Sequence, residues 1–146
     1  MFPLKSTTTI QSLCGEWPRL TSAGGQHVEV LIVDDCERIR AIAGAVLIAA
    51  GFDIIEASNG QAGLNRFEAN TPDAIVTDIN MPVMDGLTLI ERVRAHPEGK
   101  TVPIIVVSAN DKTANFERAK RSGIVCWLNK AANPLHIAEA VMMAVQ

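Results

Sequence analysis

The feature that most restricts this chain's fold is a regular alternation starting at Val28: short Val- and Ile-rich runs take turns with stretches of helical period. The runs fall at 28–33, 53–57, 74–77, 103–107 and 124–128, mostly continuous, as expected of strands covered on both faces. Between them, Ile39, Ile42, Ala43, Val46 and Leu47 share one helical face, and Gly51 follows where a left-handed C-cap would sit. Leu64 and Phe67 anchor a second helix, and Leu89, Ile90 and Val93 a third. Ile137, Val141 and Met142 anchor a fifth, which opens on Asn133-Pro134 as N-cap and first-turn proline. The fourth, over 111–122, offers only Ala114, Phe116 and Ala119 among five charged residues from Lys112 to Arg121, so it should be the least firmly held. Five strands alternating with five helices predict an α/β fold, a doubly wound parallel sheet of right-handed βαβ units.

Composition narrows the function classes. A chain of 146 residues, 48% hydrophobic and 20% charged, can bury a core without disulfides or structural metals. A net charge of −3 argues against a broad nucleic-acid footprint, and no apolar run approaches the roughly 18 residues of a membrane span. Cys14, Cys36 and Cys126 are widely spaced, which excludes a disulfide framework or zinc knuckle and points to the cytoplasm. The opening segment lacks an apolar core of signal-peptide length. Residues 1–27 read as a flexible extension, in which Ile10, Leu13, Cys14 and Trp17 mark a short helix over 9–17; residues 28–146 form the domain.

In an open parallel sheet, ligands bind beyond the carboxyl ends of the strands, where strand order reverses. The first run is followed by Asp34 and Asp35, the third by Asp78, the fourth by Ser108 and the fifth, two residues on, by Lys130. Three carboxylates gathered on one edge repel one another, and a hard divalent cation such as Mg²⁺ relieves that repulsion. With the ammonium and the hydroxyl, the set holds the parts of a phosphoryl-transfer site: a nucleophile, charge to balance its target, and a donor.

Four segments carry a family likeness: Val30 through Asp35, Ala74 through Gly86 with its Met81-Pro82-Val83-Met84-Asp85-Gly86 continuation, Val106-Val107-Ser108-Ala109, and Trp127-Leu128-Asn129-Lys130. Over about 28–145 the chain resembles the receiver domain of two-component response regulators. The resemblance implies a flavodoxin-like sheet of order 2-1-3-4-5 and a phosphoacceptor at Asp78, supplied by a histidine kinase or histidine phosphotransfer protein. It implies Mg²⁺ held by Asp34, Asp35, Asp78 and the backbone carbonyl of Asn80, with Ser108 and Lys130 on the phosphate. Trp127 stands where the family's switch ring is usually Tyr or Phe, and Asn80 and Asn110 would tune water access. The implied product is a phosphorylation switch in the cytoplasm, free of nucleic acid and membrane. It would do no chemistry beyond phosphorylating and slowly dephosphorylating itself. Lacking an attached output domain, it would signal to a downstream protein through the fourth helix, fifth strand and fifth helix.

Two departures stand out. Ala131 replaces a proline that the family usually sets in cis; before a non-proline residue cis costs about 2.5–4 kcal/mol, so trans is expected. Trp127 is bulkier than the usual ring, and would either swing as that ring does or wedge against the fourth helix. Two rival readings stay open: a phosphorylation-independent adaptor on the same fold, and an aspartate-nucleophile phosphatase, for which Asp34-Asp35-Cys36 lacks the spaced second carboxylate. His27, His96 and His136 are isolated and none reads as a phosphohistidine.

Overall fold

The structure is a computed structural model that describes residues 28–109 and 114–146. The expectations for residues 1–27, including the helix over 9–17, and for Asn110 lie outside the described residues.

Strands β1 (Glu29–Val33), β2 (Asp53–Ala57), β3 (Ala74–Thr77), β4 (Ile104–Ser108) and β5 (Cys126–Asn129) form one sheet in the order β2-β1-β3-β4-β5, with every pairing parallel. Helices α1 (Glu37–Ala49), α2 (Gly60–Asn70), α3 (Gly86–Ala95), α4 (Ala114–Arg121) and α5 (Leu135–Val145) connect and follow them. Side chains alternate across a strand, so each central run feeds two cores. Leu31, Val33, Ile75, Ile104 and Val106 pack under α2 and α3, joined by Ala119 of α4. Val30, Ile32, Val76, Ile105 and Val107 pack under α1 and α5. This is why the central strands read as unbroken apolar runs.

Coverage on both faces holds for β1, β3 and β4 but not for the outer strands, which are half exposed along much of their length. Each outer strand has a neighbour on one side only, so Cys126 is half-buried rather than enclosed, and burial still raises its thiol pKa. Ile42, assigned to the inner face of α1, is 39% exposed; Ala43 and Leu47 carry that face.

The punctuation follows the sequence closely. Gly51 adopts φ 102°, its N–H donates to the Ile48 carbonyl, and the Phe52 N–H donates to that of Leu47. This is the Schellman closure that only a residue free of a Cβ reaches without strain. The regular helix α5 begins at Leu135, so Pro134 and not Asn133 stands at its N-cap, one residue later than expected, while Asn133 Oδ1 accepts from the Leu135 N–H at 3.0 Å just ahead of it. Among the described residues, only Ala119 of α4 is buried, in keeping with a helix that gains little from burial. No described helix is long and apolar enough to cross a membrane.

Candidate functional site

Strand order reverses between β1 and β3, and there the sheet presents Asp34 and Asp78. The Asp34 N–H donates to the Ala57 carbonyl and the Asp78 N–H to that of Val33, so both residues extend the ladder by one step. Their side chains are only 5% and 6% exposed. Lys130 arrives from β5, its own N–H donating to the Ser108 carbonyl at 3.0 Å. Its ammonium lies 2.8 Å from Asp78 Oδ2 and 3.0 Å from Asp34 Oδ2. Asp78 Oδ1 accepts from the Ile79 N–H, and Asp34 Oδ1 from the Cys36 N–H. Asp35 is exposed at the rim, and one carboxylate oxygen from each of Asp34, Asp35 and Asp78 lies within 4.8 Å of the others.

Burial is the main force raising the Asp34 pKa; the negative charge of Asp78 adds to it, while the Cys36 N–H and Lys130 oppose it. Burial works against the Lys130 cation too, but its bonds to Asp78 and Asp34 outweigh that and raise its pKa. The site therefore carries more negative charge than one ammonium satisfies. The donor set is three carboxylates with no soft ligand among them, which fits a hard divalent ion of the Mg²⁺ class.

Ser108 is the last residue of β4 and fully buried, whereas the sequence pattern set it just beyond the strand. Asn80 is exposed, two residues past Asp78. Trp127 is half-buried and meets the Phe116 ring edge-on, centroids 5.6 Å apart, so it rests against α4. The Lys130–Ala131 peptide is trans, as expected. Asn129 closes the turn there: its Oδ1 accepts from the Ala131 N–H at 2.7 Å and its carbonyl from the Ala132 N–H.

The segment after Asp78 is built for close packing. The Gly86 N–H donates to the Ile79 carbonyl, and a Cβ at Gly86 would overlap the carbonyl oxygen of Asp78. Asp85 caps α3 through Thr88, and the Met84 N–H reaches back to the Pro82 carbonyl around Val83, whose φ is 72°. That is a γ-turn of the rarer, positive-φ kind.

A family model for the response regulator receiver domain matches residues 30–142. The chain belongs to this family. It is 32% identical over 114 residues to chemotaxis protein CheY1 of Helicobacter pylori, covering 77% of this chain and 92% of that one. An uncharacterized 14.6 kDa protein of Leptolyngbya boryana is 34% identical over 115 residues, covering 79% and 88%. Other relatives are far longer: the receiver spans 15% of the sensor histidine kinase CheAY of H. pylori and 14% of a gliding motility regulatory protein of Myxococcus xanthus. Among solved structures, the chemotaxis response regulator CheY4 of Vibrio cholerae superimposes with a TM-score of 0.76 at 28% identity, covering 82% of this chain and 99% of that one.

Two residues of this receiver escape sequence reasoning. Arg40 donates to the Asp34 carbonyl at 2.6 Å and to Glu56 Oε1 at 3.1 Å. Arg94 donates to the carbonyls of Gly99, Val102, Ser122 and Gly123, tying the end of α3 to the entry of β4 and the exit of α4. Nothing in the local pattern separates either from its neighbours Arg38 and Arg92.

Proposed function

We propose that this receiver accepts a phosphoryl group on Asp78 from a phosphohistidine of a partner kinase or phosphotransfer protein, in the cytoplasm and with Mg²⁺, and signals by binding other proteins. The observation carrying this reading is the Lys130 ammonium 2.8 Å from Asp78 Oδ2, within a pocket of three convergent carboxylates. Asp78 attacks phosphorus through a carboxylate oxygen as the phosphorus–nitrogen bond to the donor imidazole breaks, giving an acyl phosphate and a free histidine. Asp34, Asp35, Asp78 and the Asn80 carbonyl would hold Mg²⁺, which supplies charge balance for the entering phosphoryl oxygens. Lys130 exchanges its carboxylate bond for one to the phosphate, and Ser108 offers its hydroxyl to another phosphoryl oxygen. Movement of that hydroxyl toward the phosphate gives Trp127 room to shift against Phe116, altering the face of α4, β5 and α5 offered to a target. Asn80 and Asn110 tune the water that ends the signal. The chemistry stops at one self-phosphorylation and slow self-hydrolysis.

The test is incubation with Mg²⁺ and acetyl phosphate followed by intact mass. One added phosphate on the wild type, none on Asp78→Asn and no turnover of a generic phosphomonoester are expected. A phosphorylated Asp78→Asn variant, or an unmodified wild type, defeats the reading.

A further inference from the structure

Strand β1 ends at Val33, and one step on, the Asp34 carbonyl takes a side-chain donor as its partner. Arg40 supplies it. Its Nη1 donates to the Asp34 carbonyl at 2.6 Å while Nε donates to Glu56 Oε1 at 3.1 Å, and its side chain is only 16% exposed. That carbonyl belongs to the planar peptide joining Asp34 to Asp35, so gripping its oxygen fixes the rotation of the plane. The rotation sets the angle between the two carboxylate stems. Asp34 is held a second way, through the Cys36 N–H on its own Oδ1, whereas the Asp35 carboxylate stands at the rim.

We infer that Arg40 is a positioning residue for the cation site: braced on Glu56, it orients the Asp34–Asp35 peptide so that both carboxylates face one ion. This rests on the magnesium-dependent reading above. The sign of one measurement separates positioning from charge. Arg40 is a cation beside a cation site, so by Coulomb's law alone its removal would tighten Mg²⁺ binding. As a positioning group its removal loosens binding, because groups that orient metal ligands matter nearly as much as the ligands.

Calorimetric titration of Mg²⁺ into the full chain tests this with the wild type, Arg40→Met and Arg40→Lys. Arg40→Met keeps the apolar stem, and Arg40→Lys keeps the charge but offers one ammonium to two acceptors, so the two variants test folding in different ways, and thermal melts report whether each folds. Arg40→Met should bind Mg²⁺ roughly tenfold more weakly, and Arg40→Lys less so. Binding as tight as or tighter than the wild type in either folded variant overturns the inference. A wild type that takes up phosphate but shows the variants' weak affinity overturns it as well, and a wild type that binds no Mg²⁺ defeats the underlying reading instead.

Discussion

The ammonium of Lys130 lies 2.8 Å from Oδ2 of Asp78 across 52 residues of chain, and both groups are largely withdrawn from solvent. Lys130→Met would leave Asp34 and Asp78 facing each other without a cation, the costly way to break a buried pair. A loss on the order of 3 kcal/mol at neutral pH follows. Because pairing raises the Lys130 pKa above its ordinary 10.5, its contribution is complete below that value and fades as pH climbs through the raised one. The gap between wild type and variant should therefore close in strong alkali. Mg²⁺ should raise the melting temperature of Lys130→Met more than that of the wild type, and thermal melts with and without the ion check both points.

Asp34 yields the opposite sign. Burial foremost, together with the Asp78 charge, raises its pKa above 3.8, so its ionised form opposes folding. Asp34→Asn should stabilise the ion-free protein by about 0.5–2 kcal/mol at neutral pH, as often happens when a functional site is relieved of strain. The penalty in the wild type is full above the raised pKa and absent below 3.8, so the advantage of the variant should vanish as pH falls through that window. Denaturant melts across acid pH check this, and an advantage that persists unchanged below pH 3.8 would mean that the buried charge is not its source.

Much of this was legible in the chain itself, for identifiable reasons. The central strands are enclosed on both faces, so runs such as Val30-Leu31-Ile32-Val33 admit little but a strand. The residues at their carboxyl ends, Asp34, Asp78 and Lys130, meet because parallel strands bring those ends together. What escaped depends on side chains reaching across the fold to main-chain oxygens. Arg40 reaches Asp34, and Arg94 reaches carbonyls up to 29 residues away. An arginine is chosen for such a task by its five donors, yet on paper it looks like any solvated helix residue. Ile42 shares the apolar stripe of α1 by spacing, yet it is 39% exposed and leaves the buried face to Ala43 and Leu47.

Val83 holds φ at 72° with a β-branched side chain 81% exposed, so its Cβ brings strain and almost no burial. Such strain costs on the order of 1–3 kcal/mol, of which glycine returns a part as backbone entropy. Val83→Gly should raise stability by about 1 kcal/mol. Equal or lower melting temperature in the variant would mean that the turn is not strained. Phosphorylation of Asp78 offers the second readout, because the γ-turn joins Asp78 to the α3 cap at Asp85.

Arg94 supports the opposite end of the sheet from the acidic pocket, and its loss should show in stability with Mg²⁺ affinity unchanged. Its guanidinium donates at 2.7 Å to Gly99, Val102 and Ser122 and at 3.0 Å to Gly123, four carbonyls from two chain segments. Lysine has one donor centre on a stem of similar length and satisfies one or two of these at most. Each carbonyl left without its partner costs about 1–3 kcal/mol where water cannot replace the bond; this cluster is half-buried, so water recovers part. Arg94→Lys should lose about 2 kcal/mol, nearly as much as Arg94→Met, and amide exchange should rise first around Ser122 and Gly123, just past α4, whose Ala119 alone among the described residues is in the core. Full rescue by lysine would show that the charge, and not the fork of donors, holds this corner together.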